Sequence, residues 1–238
     1  MALWGKGLFG GTRPAAGERA RARALEQAPT GPLRDYLLAD PPAADMPVVD
    51  LDLLAIDVET TGLDPRRDAL LSVGFVPVVR STVELSGAYH AVVRSQAEVG
   101  QSATVHGITD DRVHAGRPIE EVLADTLTAL RGRVLVAHFA QIEVGFLTRA
   151  CREVYGVEPG FTVVDTLTLH RRLLDPHAAR ELPRSVLRLP AARDHFGLPR
   201  YRMHDALVDA IACGELLLAQ AAHLGPADQV TLRDLQRE

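Results

Sequence analysis

The amino-acid sequence predicts an α/β fold, a mixed sheet of about five strands with helices on its faces. Two observations lead to this class. Three apolar runs of strand length follow one another at 51–58, 70–79 and 83–93, as the strands of an antiparallel meander do. Beyond residue 118 helices and short strands alternate, which is typical of strands joined by helical crossovers.

The later elements follow from the spacing of apolar residues. Residues 118–130 begin with a proline, which suits a first helical turn, and continue with apolar side chains at helical spacing. A short apolar strand at 133–137 leads into a helix at 140–155, and 162–165 resembles another brief strand. The last long helix is predicted at 204–223, where an apolar face recurs with the helical period.

A change in composition near residue 48 predicts the domain organisation. Residues 1–47 are rich in Gly, Pro, Ala and Arg and are expected to form a mobile N-terminal extension with one helix near 17–27. Residues 48–225 are expected to form the globular domain, and 226–238 a C-terminal tail. A chain of 238 residues is long enough for one well-buried domain with such extensions.

Composition and charge narrow the class of protein. Cys151 and Cys213 have no partner at metal-ligand spacing and are expected to be buried thiols. No run approaches the roughly 18 apolar residues of a membrane span, so no membrane partner is predicted and the expected compartment is the cytoplasm. The net charge of -5 is only weak evidence against a nucleic-acid partner, because bound cations reverse the local charge of acids in a metal site.

The first chemical signal is the segment DVETTG, residues 57–62, at the end of the first strand. Residues two apart on a strand share a face, so Asp57 and Glu59 would project together. Neighbouring carboxylates repel each other unless a cation neutralises them, and oxygen ligands suit Mg²⁺ or Mn²⁺. The alternative is a strand end that turns into solvent at Gly62, and the dyad alone does not choose between the two.

Two further acids occur near helix starts. Glu143 follows His138 and lies on the first turn of a helix, where the dipole alone favours an acid; His138 taken singly is more typical of a hydrogen-bonded structural residue. His204 and Asp209 open the last long helix. On an ideal helix they point about 140° apart. They can flank one site only if His204 lies on the approach to the helix and Asp209 points inward.

The three segments occur in a fixed order: DVETTG, then VAHFAQIE at 136–143, then HDALVDA at 204–210. In that order they resemble the DEDDh 3′→5′ exonucleases, the group that includes the proofreading (epsilon) subunit of bacterial replicative DNA polymerase, oligoribonuclease and ribonuclease T. The resemblance covers about 51–224. It implies a ribonuclease H-like fold and an enzyme that releases 5′-mononucleotides from DNA 3′ ends.

The resemblance also assigns roles to residues. Asp57, Glu59, Glu143 and Asp209 would hold two Mg²⁺ or Mn²⁺ ions, and His204 would be the general base that takes a proton from the attacking water. The implied reaction is two-metal hydrolysis of a phosphodiester bond, and the implied partner is a single-stranded or frayed 3′ end of DNA.

Substrate contacts are implied near the first motif and near VHGIT at 105–109, which also looks like a family segment. The candidates for contact with the 3′-terminal nucleotide are Thr60, Leu63, His106 and Ile108. Each of them could equally be an ordinary packing residue. A polymerase or clamp contact through 229–232, where Gln precedes apolar residues, is a further expectation.

Two of the departures from the family pattern His-Asn-Ala-x-Phe-Asp bear on activity. Phe139 replaces the asparagine, and Glu143 replaces the aspartate with a side chain one methylene longer. Since Mg²⁺ tolerates poor octahedral geometry badly, a catalytically weakened nucleic-acid-binding module stays open beside the enzyme. An RNA-trimming exonuclease or oligoribonuclease is a third alternative, because nothing in the sequence separates the two sugars.

Overall fold

The computed structural model describes residues 14–97 and 99–237. Residues 1–13, which belong to the predicted extension, lie outside this description. The strands are β1 (Asp52–Thr60), β2 (Leu70–Val79), β3 (Thr82–Val83), β4 (Tyr89–Val92), β5 (Val134–Ala137) and β6 (Val163–Asp165). The α-helices are α1 (Pro14–Gln27), α2 (Pro32–Leu38), α3 (Ala103–His106), α4 (Asp110–His114), α5 (Ile119–Leu130), α6 (Gln141–Tyr155), α7 (Thr166–Leu174), α8 (Arg184–Leu187), α9 (Leu189–His195), α10 (Ala206–Leu224) and α11 (Leu232–Gln236).

The strands form one mixed sheet in the order β3-β2-β1-β5-β6, and β4 also pairs with β2. Strands β1 and β2 are antiparallel, whereas β1 with β5 and β5 with β6 are parallel. Helix α6 supplies the crossover between β5 and β6, as parallel strands require. The predicted mixed sheet flanked by helices is therefore confirmed.

The third predicted strand is broken, and this part of the prediction was wrong. Instead of one run at 83–93 the chain forms β3, a 3-10 helix at Leu85–Gly87 and β4. The reason lies opposite the break, in Pro77 of β2, which has no N–H to donate to a neighbouring strand. Its carbonyl oxygen accepts from the N–H of Glu84 at 2.9 Å, and regular pairing resumes only beyond it.

The two faces of β1 belong to two cores. Leu54 and Ile56 lie in a core with buried side chains of α5 and α6. Leu53 and Ala55 lie in a second core with buried side chains of α7, α10 and α11. Because side chains alternate along a strand, positions 57 and 59 continue the second series and lie on the α10 side of the sheet.

Helix α10 is the principal helix of that second core and packs against β1 and β2. Its approach is close, since a Cβ on Gly214 would lie 3.3 Å from the Cβ of Ala55. By length and composition alone α10 could cross a membrane, although Asp209, Glu215 and Gln220 interrupt its apolar residues. Half of the apolar window is buried inside the protein, which is what packing on the sheet requires of a core helix.

Part of the predicted extension packs on the domain. Leu33, Tyr36 and Leu37 of α2 are buried in the same core as α5. The hydroxyl of Tyr36 donates to the carbonyl oxygen of Gly160 at 2.8 Å. Residues 32–38 are therefore joined to the domain by apolar burial and by a long-range hydrogen bond.

The C-terminal residues also pack on the domain. Val230 and Leu232 are buried in the core with α10, and the N–H of Leu232 donates to the carbonyl oxygen of Met46 at 3.0 Å. Thr231 and Asp234 form a reciprocal capping box at the start of α11. The apolar side chains of the segment 229–232 thus point into the core, and in this conformation they are not available to a clamp.

Candidate active site

Asp57 and Glu59 lie at the carboxyl end of β1, beyond the point where the parallel neighbour β5 ends at Ala137. Both side chains are partly buried, and they share the α10 side of the sheet. Carboxylate oxygens of Asp57, Glu59 and Asp209 lie within 4.8 Å of one another. Residues about 150 positions apart along the chain therefore form a single acidic cluster.

Asp209 reaches this cluster because α10 begins directly over β2. Gly74 of β2 pairs with Asp57 in the sheet. A Cβ at position 74 would lie 2.2 Å from the carbonyl carbon of Ala206, a distance that no side chain permits. The absence of a side chain at Gly74 therefore allows the first turn of α10 to contact the sheet beside Asp57.

Within the part of the chain that the structure describes, the carboxylate of Asp209 is hydrogen-bonded through one of its two oxygens. Oδ2 accepts from the backbone N–H of His204 at 2.9 Å. Oδ1 is buried and has no hydrogen-bond partner among the described residues. Since burying an unpartnered carboxylate oxygen is costly, this oxygen is suited to a ligand that carries positive charge.

Glu143 lies on the first turn of α6 and is only 3% exposed. Its Oε2 is also buried without a hydrogen-bond partner among the described residues. Glu143 lies outside the group of three acids whose oxygens meet within 4.8 Å. It is still close enough for its charge to raise the pKa of Asp57, second in effect only to burial.

Burial raises the pKa of the three clustered acids and of Glu143. Nearby carboxylate charges add to this effect: those of the other acids of the site for Asp57 and Glu59, that of Asp165 for Glu143 and that of Asp205 for Asp209. Burial is the largest cause in each case. The pKa of Glu59 rises to about 7 and that of Glu143 to about 8, and the pKa values of Asp57 and Asp209 are also raised. A divalent cation would remove this repulsion. An all-oxygen donor set, in which two buried oxygens have no hydrogen-bond partner within 14–97 and 99–237, fits a hard cation such as Mg²⁺ or Mn²⁺.

His204 lies just before α10, on the approach to the helix. Its φ of 69° is in the left-handed region, and its side chain is exposed. Its charge also contributes, after burial, to lowering the pKa of His106, which places the two side chains in one neighbourhood. The geometric condition for His204 and Asp209 to flank one site is therefore met, because only Asp209 belongs to the helix.

His138 is a structural residue in this arrangement. Its Nε2 lies 2.9 Å from the carbonyl oxygen of Leu187 and its Nδ1 2.9 Å from the hydroxyl of Thr166. Because a carbonyl oxygen only accepts, Nε2 carries a proton, and Nδ1 faces the hydroxyl of Thr166. Burial lowers the pKa of His138, which favours the neutral form.

The backbone beside His138 is held by Asp165. Phe139 has a φ of 74°, a conformation that asparagine tolerates better than phenylalanine does. Asp165 Oδ1 accepts from the N–H of Phe139 at 2.9 Å and from the N–H of Leu167 at 2.9 Å. Asp165 thus caps α7 and also fixes the turn that leads to Glu143.

The four candidate substrate contacts differ in exposure. Leu63 is 74% exposed and Ile108 only 4%, so Leu63 offers an apolar surface and Ile108 offers very little. The hydroxyl of Thr60 donates to the carbonyl oxygen of Gly62 at 2.6 Å and thereby fixes the turn after β1. His106 Nδ1 accepts from the N–H of Ile108 at 3.1 Å, and its Nε2 is buried without a partner among the described residues.

Sequence reasoning missed two contributors to the site. Asp205 caps α10, with Oδ1 accepting from the N–H groups of Leu207 and Val208, and its charge helps to raise the pKa of Glu59. The other is Gly74. An isolated glycine inside a strand is a known sign of close backbone approach, so the signal for Gly74 was present in the sequence.

The acidic cluster predicts how stability depends on pH and on metal. An acid whose pKa is raised in the folded state contributes its full stabilisation of the fold at pH values below its ordinary pKa. This contribution is lost as the pH rises through the pKa that the acid has in the folded protein. For Glu143 that window runs from 4.5 to about 8, so the metal-free protein becomes less stable across it. We expect excess Mn²⁺ to raise the midpoint of thermal unfolding by about 5 °C near pH 8, and by less near pH 6.

The matched control for this measurement is Glu143→Gln, which keeps the shape of the side chain and removes its charge. In EDTA the variant should lose less stability than the wild type as pH rises, and Mn²⁺ should stabilise it less. An equal effect of Mn²⁺ on both proteins at both pH values would contradict the placement of Glu143 in a cation site.

Comparison with known proteins agrees with this geometry. The model of the exonuclease family represented by RNase T matches residues 54–217, more than half of the chain. DNA polymerase III PolC-type of Thermotoga maritima is 30% identical over 170 residues, which cover 71% of this chain and 12% of that protein. The corresponding protein of Thermotoga petrophila is 30% identical over 166 residues, or 69% and 11%. The chain thus spans only a small part of these relatives.

Solved structures share the fold. The nuclease domain of 3′hExo, a DEDDh family member bound to rAMP, superposes with a TM-score of 0.61 at 16% identity, covering 76% of this chain and 95% of that one. Exonuclease X in complex with 5′ overhanging duplex DNA gives a TM-score of 0.56 at 22% identity, covering 78% and 99%. The fold is therefore ribonuclease H-like. Family match and fold agree, and this chain belongs to the DEDDh exonuclease family of nuclease hydrolases.

Proposed function

We propose that this protein is a metal-dependent 3′→5′ exonuclease that removes nucleotides from DNA 3′ ends in proofreading or repair. The observation that carries the proposal is the meeting of Asp57, Glu59 and Asp209 oxygens within 4.8 Å in a chain of this family. DNA is supported by the 30% identity with relatives named DNA polymerase III PolC-type. The substrate would be a single-stranded or frayed 3′ end.

Four acids would form the cation site. Asp57, Glu59 and Asp209 would hold one side, and the buried Glu143 would hold the other, together accommodating two Mg²⁺ or Mn²⁺ ions. When bound, the ions would supply a nucleophilic water and charge stabilisation at the phosphate. The chain's contribution is to hold these four carboxylates at the carboxyl end of β1, before any substrate arrives.

His204 is the proposed general base. Its side chain is exposed while its backbone N–H is bonded to Asp209, so it faces solvent at the edge of the acidic cluster. It accepts a proton from the attacking water, whose oxygen forms the new bond to phosphorus. The bond between phosphorus and the 3′ oxygen breaks, and that oxygen takes up a proton from solvent water and stays on the shortened strand as a hydroxyl. The released nucleotide keeps the 5′ phosphate.

Substrate contacts are proposed beside the turn after β1. Leu63, the most exposed large apolar side chain in the described chain at 74%, would pack against the terminal base. Thr60 and His106 would line the same end of the site. Ile108, which is buried, would hold His106 in place through its N–H, which donates to His106 Nδ1. A Leu63→Ala protein should therefore show a higher KM with little change in kcat.

A degradation assay with oligonucleotides labelled at either end tests the proposed polarity and product. With a 5′ label the proposed enzyme produces a ladder of shortened strands, and with a 3′ label it releases a labelled mononucleotide at once. EDTA should abolish both signals, and Mg²⁺ or Mn²⁺ should restore them. Release of a mononucleotide from the 5′ end, or internal cuts, would contradict the proposal.

Two alternatives are outcomes of the same assay. An RNA-trimming enzyme would degrade a matched RNA faster than DNA. This alternative is supported by the 3′hExo domain, which has a similar fold and is bound to rAMP. A binding module weakened by the longer Glu143 side chain would bind Mn²⁺ and oligonucleotide without turnover. A polymerase partner and a cytoplasmic location are further proposals, which co-purification from cells and cell fractionation would test.

A further inference from the structure

The segment that carries His204 has no regular secondary structure. It runs from Phe196, after α9, to Asp205, before α10. Its side chains Phe196, Leu198 and Met203 pack against buried residues of α9 and α10. A polar attachment is Arg193 of α9, a side chain that is only 2% exposed and is among the largest fully buried side chains of the described chain. A buried guanidinium is unusual and calls for specific partners.

Arg193 joins three parts of the fold. Nη1 donates to the carbonyl oxygen of Ala212 in α10 at 2.6 Å, and Nη2 donates to the carbonyl oxygen of Pro199 in the segment at 2.8 Å. Nη2 also pairs with Oε2 of Glu215 in α10 at 2.8 Å. The guanidinium therefore ties α9, the His204 segment and α10 together.

Tyr201 adds further contacts to these bonds. We call the group formed by Arg193, Glu215 and Tyr201 the clamp. The hydroxyl of Tyr201 donates to Glu215 Oε1 at 2.8 Å, and its ring lies 4.6 Å from the guanidinium carbon of Arg193. The segment is thus held at Pro199 and Tyr201, within five residues of His204. The hydrogen bond from the His204 N–H to Asp209 continues the attachment to α10.

Stability alone explains this arrangement poorly. An apolar side chain of similar volume in place of a buried ion pair is often neutral or stabilising, and here Arg193 is buried while its partner Glu215 is 29% exposed. A left-handed residue such as His204, with φ of 69°, persists only where its surroundings impose that conformation. The bonds of Arg193 to Pro199 and Glu215 supply part of such surroundings.

We propose that Arg193, with Glu215 and Tyr201, is a positioning residue that fixes His204 over the acidic cluster. The inference rests on the proposed role of His204 as general base. A side chain that acts in this way affects turnover through the general base. Because a displacement of about 1 Å can cost roughly a hundredfold in rate, Arg193→Met should lower kcat by about tenfold to a hundredfold, with KM within about threefold of the wild type.

A double-mutant cycle separates positioning from a general structural role. In a His204→Ala background the base is absent, so adding Arg193→Met should change the remaining rate by less than about threefold. If Arg193→Met lowers the rate by the same factor in both backgrounds, Arg193 does not act through His204 and the proposal is overturned. If His204→Ala itself retains full turnover, the base assignment fails instead, so the two failures are distinguishable.

A measurement independent of activity completes the test. Amide hydrogen exchange of the peptide that spans 199–205 should become at least about tenfold faster in Arg193→Met. Arg193→Lys, which keeps the charge but loses the forked donors, should fall between Met and the wild type in both readouts. Unchanged exchange in this peptide would also overturn the proposal.

Glu215→Gln provides the same information if Arg193→Met does not fold. It keeps the side-chain shape and removes the charge that pairs with Arg193, so it should show a smaller fall in kcat that again disappears in the His204→Ala background. The matched control is Arg152→Met. Arg152 is an exposed arginine of α6 that pairs with Glu158 at 2.8 Å. Its replacement should leave kcat, KM and amide exchange at 199–205 unchanged. A Glu215→Gln protein with wild-type turnover and exchange would count against the clamp.

Discussion

Asp57→Asn is expected to abolish nucleotide release while the protein stays folded. Asp57 lies at the centre of the acidic cluster, where burial and the charges of Glu143, Asp209 and Glu59 raise its pKa. An amide has one acceptor oxygen and no charge, so it cannot replace a carboxylate in a cation site. We expect the rate to fall by about a thousandfold or more, which corresponds to roughly 4 kcal/mol of transition-state stabilisation.

The same substitution should leave the metal-free protein at least as stable as the wild type, because it removes one of several repelling charges. Asp52→Asn is the matched control, since Asp52 occupies the exposed opposite end of the same strand and should keep normal turnover. Cleavage by Asp57→Asn at the wild-type rate would remove the basis for the whole site. A fall of equal size in Asp52→Asn would show that the effect is not local.

Gly74→Ala is expected to have the second large effect, although residue 74 is not one of the acids. An added Cβ would lie 2.2 Å from the carbonyl carbon of Ala206 and from the amide nitrogen of Leu207, so the first turn of α10 has to move. Overpacking of this kind costs about 1–3 kcal/mol. A shift of Asp209 by about 1 Å should lower turnover by roughly a hundredfold, measured under conditions in which the variant remains folded.

Urea unfolding and mononucleotide release, measured on the same preparation, separate the two effects of this substitution. Gly160→Ala is the matched control, because a Cβ there meets no atom within 4 Å, and it should change stability by less than about 0.5 kcal/mol. If Gly74→Ala is as active and as stable as Gly160→Ala, the contact between α10 and β2 is not what brings Asp209 to Asp57.

Much of the fold could be predicted from the sequence because its signals are local. The period of two along β1 predicted that Asp57 and Glu59 share a face, and the structure places both on the α10 side of the sheet. The apolar spacing of 118–130 predicted α5 within one residue of its observed start at Ile119. These signals depend on neighbours within a few residues, which a single sequence contains in full.

Other predictions failed where a contact distant in sequence decided the outcome. The run at 83–93 has strand-like composition, but Pro77 on the neighbouring strand interrupts its pairing. The segment 229–232 has the pattern of a groove-binding motif, yet Val230 and Leu232 are buried in the core. In both cases the local pattern was identified correctly, and the deciding residue or surface belonged to another part of the chain.

The sequence by itself determined the family, the types of acid in the three motifs and the alternation that turns Asp57 and Glu59 to one side, because covalent order and backbone geometry fix these. Only the tertiary structure decided which groups meet. The contact of Gly74 with Ala206, the meeting of Asp57 and Glu59 with Asp209 and the bonds of Arg193 all join residues from separate elements. Such contacts depend on how the sheet twists and how closely α10 packs, and no pattern of neighbouring residues encodes those distances.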